Sequence, residues 1–382
     1  MKIIIAPDSF KGCMRSPQVC ESIKKGILSV APDAEVVSMP MADGGEGTME
    51  AMCLTAGRIE KIKARDPLGR KIEAEFGIIG DGDTAVMEMA SASGLELLTR
   101  EELNPLTATT YGTGEIIREI LGRGIREIIV GIGGSARVDG GAGMAQALGY
   151  RLLDANGKEL ASGWGSLADL RSIDTSRVDP RLKKVKIRVA CDVTNPLLGS
   201  NGAARVFAPQ KGASPEMVEQ LESNLANFAD VLIKEGLIDN AESPGDGAAG
   251  GLGVGLRAFC GAKIESGAKL MIDITGLEKE LRDSDLIITG EGCTDAQTSS
   301  GKLCAAISDA ARKANIPIVL LSGALKGDLG NLHNMFDAAF SISTGPCTLD
   351  EALAATKENL FLAGQSIAGL FIHKNKAIGT EK

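Results

Sequence analysis

Residues able to do chemistry gather in three short stretches: DSFKG (8–12), DGGEGT (43–48) and TGEGCTDAQTSSGK (289–302). Each mixes acids, hydroxyls and glycines, and two of them carry a lysine. Their carboxylates, on Asp8, Asp43, Glu46, Glu291 and Asp295, suit a hard cation, with Asp43 and Glu46 as the metal candidates. Lys11 and Lys302 would neutralise phosphate oxygens, Ser9 and Gln297 would add polar contacts, and glycine leaves backbone N–H groups open to an anion. The competing reading of DGGEGT is helix capping, with Asp43 as N-cap and Glu46 favoured by the helix dipole. Three such stretches together favour a site.

A second set lies mid-chain. YGTGE (Gly112, Thr113), GGSARVDGGAGM (Gly133, Gly134, Ser135, Asp139, Gly140) and GDGAAGGLGVG (Gly247, Gly250, Gly251) place glycines at helix starts, where anions bind. Close helix packing is the alternative for the last of these. CDVTNPLLG exposes Asp192 and Asn195 after an apolar run, and an Asp there could take the proton of an attacking hydroxyl. FAPQKGA sets Gln210 and Lys211 before a helix. In ARDPLGR, Arg65 or Arg70 could meet a carboxylate, although a hairpin turn with solvated arginines is the favoured reading of the stretch. Two named phosphate motifs fail. TSSGKL lacks the first glycine of a P-loop and has Leu303 in place of its hydroxyl residue, and no strand precedes Gly245, Gly247 and Gly250.

The elements that must hold these loops read as α/β. KIIIAP (2–7) is a strand, residues 16–30 a helix with Ser16 as N-cap and Pro17 at N1, AEVVSMP (34–40) a strand and 47–57 a helix. That rhythm predicts a parallel sheet with the loops at its carboxyl ends, where ligands bind. Residues 57–79 alternate around Asp-Pro-Leu-Gly as a hairpin, and Met217, Leu221, Leu225, Phe228 and Leu232 mark a long helix. From about residue 285 the strand–helix rhythm returns, ending in a helix over 349–372. The expectation is two domains: a doubly wound parallel sheet built from 1–75 and 283–382, with a mixed α/β domain, 76–282, inserted.

Composition removes several function classes. The chain of 382 residues carries a net charge of −9 and only 3% aromatics, a poor surface for nucleic acid. No apolar run is long enough for a membrane span, and the N-terminus reads as a first strand, not a signal peptide. The eight cysteines show no CxxC, as expected of reduced thiols in the cytoplasm. With two histidines, both near the C-terminal end, a His-ligated zinc site or a Ser-His-Asp triad is nearly excluded.

Taken together, APDSFKG, PMADGGEGT, DPLGR, YGTGE, IGGSA with DGGAGMAQALG, CDVTNPLLG, PQKGA, GAAGGLG and TGEGCTDAQTSSGK, in that order, resemble the bacterial-type glycerate kinases. The resemblance covers nearly the whole chain. It implies a flavodoxin-like domain, a restriction-endonuclease-like domain and a cleft between them. It also implies ATP-dependent phosphorylation of D-glycerate with Mg²⁺, usually to 2-phosphoglycerate. Asp192 is the expected general base, ahead of Asp295 and Asp8. Asp43 and Glu46 would hold Mg²⁺, and Lys11, Lys211 and Lys302 would neutralise phosphate. The chain departs from the family pattern at Cys13, Arg137-Val138, Asp246 and Cys293, and Arg137 stands within an anion loop. A homodimer is among the oligomeric states left open. Rival readings are a nicotinamide-dependent hydroxyacid dehydrogenase, which lacks its fingerprint here, and a non-catalytic sensor of phosphorylated acids, which lacks an output motif.

Overall fold

The structure is a computed structural model that describes residues 1–45, 47–161, 167–295, 303–327, 330 and 332–379. Its strands in chain order are β1 (Lys2–Ile5), β2 (Glu35–Ser38), β3 (Gly57–Arg65), β4 (Lys71–Ile79), β5 (Thr84–Glu88), β6 (Glu127–Gly131), β7 (Arg151–Leu153), β8 (Ser172–Asp174), β9 (Lys186–Ala190), β10 (Lys263–Glu265), β11 (Leu286–Thr294), β12 (Ile318–Leu325) and β13 (Ala338–Ser341). The chain divides into two compact units, Met1–Asp43 with Ala268–Lys382, and Gly44–Gly267. The expected boundaries were at 75 and 282. Residues 57–79 sit in the second unit because β4 pairs antiparallel with β5.

The first unit holds a five-stranded sheet in the order β13-β12-β11-β1-β2, every neighbouring pair parallel. Counted within the unit, that order is 2-1-3-4-5, and it reverses direction between β1 and β11. Ligands of doubly wound sheets bind outside the carboxyl ends at this reversal. Ile3, Ile4 and Ile5 are fully buried, as an apolar run covered on both faces must be. Helix Ser16–Val30 starts with Pro17 in its first turn, as expected, but Arg15 is the N-cap. Ser16 Oγ instead donates to the Pro7 carbonyl at 2.6 Å and accepts the Met41 N–H at 3.0 Å, tying together the loops that leave β1 and β2.

The second unit holds a six-stranded sheet, β10-β9-β6-β5-β4-β3, parallel from β10 to β5 and antiparallel across the β3–β4 hairpin. Helix Pro215–Lys234 is capped by Ser214, whose Oγ accepts the Met217 N–H. It buries Leu221, Leu225, Phe228 and Leu232 on one face, as the spacing predicts. Among the described residues no helix is long and apolar enough to cross a membrane.

The loop before helix Ala248–Cys260 is pinned by Asp246, which is fully buried. Its carboxylate takes the Ser243 N–H at 2.9 Å and pairs with Arg257 at 2.9 and 3.1 Å. Asp246→Ala leaves that guanidinium without its carboxylate. Because Arg257 is partly solvated, the expected loss is about 2–4 kcal/mol, near the low end for a broken buried pair. Urea unfolding should show a lower midpoint at unchanged slope. An unchanged midpoint would mean that the pair adds nothing.

Candidate active site

In the first unit the sequence-predicted acids gather at the sheet reversal. Asp8 follows β1 and is anchored by its N–H to the Gly290 carbonyl of β11 at 2.8 Å. Glu291 lies near the carboxyl end of β11 and accepts from Thr294 Oγ1 at 2.9 Å. Asp43 comes from the loop after β2, with its Oδ2 3.2 Å from Lys11 Nζ. Burial, then the charge of Asp43, push the Asp8 carboxyl up to about 7; Glu291 adds to the rise, while the Ser9 N–H and Lys11 oppose it. Ser9 enters through that backbone N–H, 2.6 Å from Asp8 Oδ1. Asp295 follows β11 and is half-buried. Glu46, Gln297 and Lys302 lie outside the described residues.

In the second unit, Asp192 follows β9 and is exposed; its Oδ1 accepts from Ser266 Oγ and the Gly267 N–H, both at 2.9 Å. Asn195 Nδ2 donates to the Asn201 carbonyl at 2.9 Å, and Gln210 is exposed. Gly44 crosses the end of β9 with φ +90°, where a Cβ would lie 2.9 Å from the Ala190 carbonyl oxygen. Glycine is therefore needed both for the turn and for the close approach. The N-cap of helix Thr48–Ala56 is Gly47, not Asp43, so the capping reading of that acid does not hold. Glu88, at the end of β5, does the capping by accepting the Met49 N–H at 2.9 Å. Sequence reasoning missed Glu88 because it sits in a plain strand, TAVME, with no glycine cluster beside it.

The remaining glycine loops pack against one another and against their neighbours. A Cβ on Gly250 would lie 2.0 Å from the Arg137 carbonyl oxygen, and one on Gly247 2.1 Å from that of Pro196. Gly251 sits 3.0 Å from the Gly140 Cα by the same measure, Gly133 2.8 Å from the Gly45 Cα and Gly112 1.9 Å from the Arg65 carbonyl oxygen. Gly134 is exposed, and its carbonyl accepts the Leu95 N–H. Thr113 is buried with its Oγ1 2.8 Å from Ser93 Oγ. Asp139 is held by the N–H and Oγ1 of Thr110, both at 2.8 Å, and by the Gly141 N–H at 3.0 Å. Lys211 is buried, with Nζ donating to Ser135 Oγ at 2.6 Å and to the Arg137 carbonyl at 2.8 Å. Arg65 pairs with Glu115 at 3.3 Å and lies 4.7 Å over the Tyr111 ring, while Arg70 bridges Asp66 and Glu102.

The first unit thus offers an acid cluster with one lysine, and the second, by itself, a strand-end carboxylate with anion-suited turns. The family model for the glycerate kinase family matches residues 3–372. The chain belongs to the glycerate kinase family. Membership makes it an enzyme, a glycerate kinase. It is 49% identical to the glycerate 2-kinase of Escherichia coli K12, over 96% of this chain and 97% of that protein. It is 44% identical to the glycerate kinase of Bacillus subtilis 168, with the same shares covered. A crystal structure from Salmonella typhimurium LT2, provisionally assigned as glycerate kinase 2, superposes with a TM-score of 0.89 at 44% identity. That match covers 98% of this chain and 99% of the other.

Proposed function

We propose that this glycerate kinase moves the γ-phosphoryl group of ATP to a hydroxyl of D-glycerate, with 2-phosphoglycerate as the product. The observation that carries the reading is the acid cluster at the reversal of the parallel sheet. Asp43 and Glu291 both act electrostatically on Asp8, which resists ionising there. A cation held among them would relieve that repulsion, and such a cation is what phosphoryl transfer from ATP requires.

The donor set fits Mg²⁺. This ion takes oxygen ligands, and one or two carboxylates suffice when water and phosphate oxygens complete its shell. Among the described residues no group of three or more His, Cys, Asp or Glu forms a full metal cage, and Mg²⁺ needs none. Asp43 would hold it with Asp8, with or without Glu46. When bound, it would neutralise charge building on the transferred group.

The chain's own residues supply the rest. Lys11, whose side chain is 74% exposed, is long and solvated enough to leave Asp43 for a phosphate oxygen. Asp192 would accept the proton of the attacking glycerate hydroxyl, its carboxylate oriented by Ser266 and Gly267. The protein would then act in the cytoplasm on two small molecules.

Phosphorus NMR of the chain with ATP, Mg²⁺ and D-glycerate tests the reading. The expected result is a new phosphomonoester signal split by one adjacent proton, as a phosphate on O2 requires. Splitting by two protons would move the product to O3. Absence of both ADP and a new signal would sink the ATP-dependent reading.

A further inference from the structure

Beneath the Gly133–Ser135 turn the second unit buries two basic side chains beside each other. Arg137 is 0% exposed and Lys211 1%. The two partners of Lys211 Nζ, Ser135 Oγ and the Arg137 carbonyl, are both neutral. Arg137 Nη1 donates to the Ser93 carbonyl at 3.1 Å, its Nε lies 3.4 Å from Asp139 Oδ1, and its Nη2 has no hydrogen-bond partner among the described residues. Asp139 is already occupied by donors from Thr110 and Gly141. Two buried bases therefore share one carboxylate that is otherwise spoken for. Burial and the Arg137 charge drive Lys211 well below the ordinary lysine value. Packing alone does not call for this, since a methionine would fill the Lys211 volume without the desolvation penalty.

The arrangement makes sense if negative charge arrives from outside. Ser135 is nearly buried, but Gly134 beside it is exposed, so the cluster approaches solvent at this turn. Because Lys211 N–H occupies one lone pair of Ser135 Oγ, the hydroxyl is left to donate its own hydrogen elsewhere. A donor backed by buried basic groups, and next to a backbone that glycine leaves uncovered, favours an oxyanion over a neutral group.

We propose that Ser135, positioned by Lys211 and supported by Arg137, is the recognition point for one oxyanion of the reaction, either the carboxylate of the acid or a phosphoryl oxygen of the nucleotide. This rests on the kinase reading and assigns these buried groups a part in it. Ser135 touches the ligand, and Lys211 acts through Ser135.

The test uses the full chain with Ser135→Ala and Lys211→Met, measured in two ways. Thermal melts in sulfate and in chloride at matched ionic strength read anion binding without turnover. The parent should be stabilised more by sulfate, and both variants should show a clearly smaller difference, since only the non-specific sulfate effect and other anion contacts remain. Steady-state kinetics should show one KM raised about tenfold or more, the scale of a lost charge-assisted hydrogen bond, with the other KM within about twofold. A rise for glycerate assigns the carboxylate, and a rise for ATP assigns the phosphoryl oxygen. Parental KM values together with a parental sulfate response in Ser135→Ala overturn the proposal, even if turnover falls. Should Lys211→Met fail to fold, Ser135→Ala carries the test alone. If the parent does not turn over glycerate with ATP, the kinase reading fails, while the sulfate response still decides the oxyanion site.

Discussion

Asp192→Asn is expected to lower kcat by about 10²–10⁴-fold, the range for losing a positioned proton acceptor. The substitution is nearly isosteric, and Asn Oδ1 can still accept from Ser266 Oγ and the Gly267 N–H, which orient the aspartate at 2.9 Å. The loop after β9 should therefore keep its shape. What disappears is basicity, since an amide does not take up the hydroxyl proton. ATP affinity, measured calorimetrically, should stay within about threefold, because the lost interaction matters only in the transition state. Near-parental turnover would remove Asp192 from proton transfer and leave Asp8 and Asp295 as the acids to examine.

The second large effect is a pair of opposite changes from one substitution. Asp8→Asn should cost turnover about 100-fold or more by removing a carboxylate from the proposed cation site, yet it should stabilise the metal-free protein. The folded carboxyl sits at about 7 against a reference value of 3.8. Below pH 3.8 the group is protonated in both states and adds no penalty. Between pH 3.8 and about 7 the unfolded chain releases the proton while the folded chain keeps it, so stability falls as pH rises. Above that window both states are ionised and the penalty is constant, at most on the order of 4 kcal/mol. Asn carries no such charge. Urea unfolding in a chelator from pH 5 to 8 should show the variant's advantage growing to a plateau near neutrality. An advantage independent of pH, or none, would mean that Asp8 does not titrate in this window.

Much of this arrangement was legible in the sequence where local rules govern. The spacing of Leu221, Leu225, Phe228 and Leu232, the alternation of residues 57–79 and the acids after apolar runs each led to the element or the placement found. What was not legible depends on partners distant in sequence. Ser16 looked like an N-cap, but the Pro7 carbonyl and Met41 N–H claim its hydroxyl. Lys211 read as a lysine set before a helix to neutralise phosphate, and only the fold reveals Ser135 and Arg137 around its amine. The run GAAGGLGVG read first as an anion site, with close packing as the alternative. The Arg137 carbonyl against Gly250 shows that packing accounts for that glycine.

The register Ile3↔Leu286, which sets the first strand beside one made far later, also has a consequence during synthesis. At about 5–20 residues per second, β1 leaves the ribosome some tens of seconds before its partner exists. The contiguous unit Gly44–Gly267 is complete by then and can fold as the chain emerges. Its host sheet cannot, so β1 and β2 wait as an apolar ribbon with no third strand to pair with. In the cell, the nascent chain should thus lean on chaperones through its first forty residues and not through its middle.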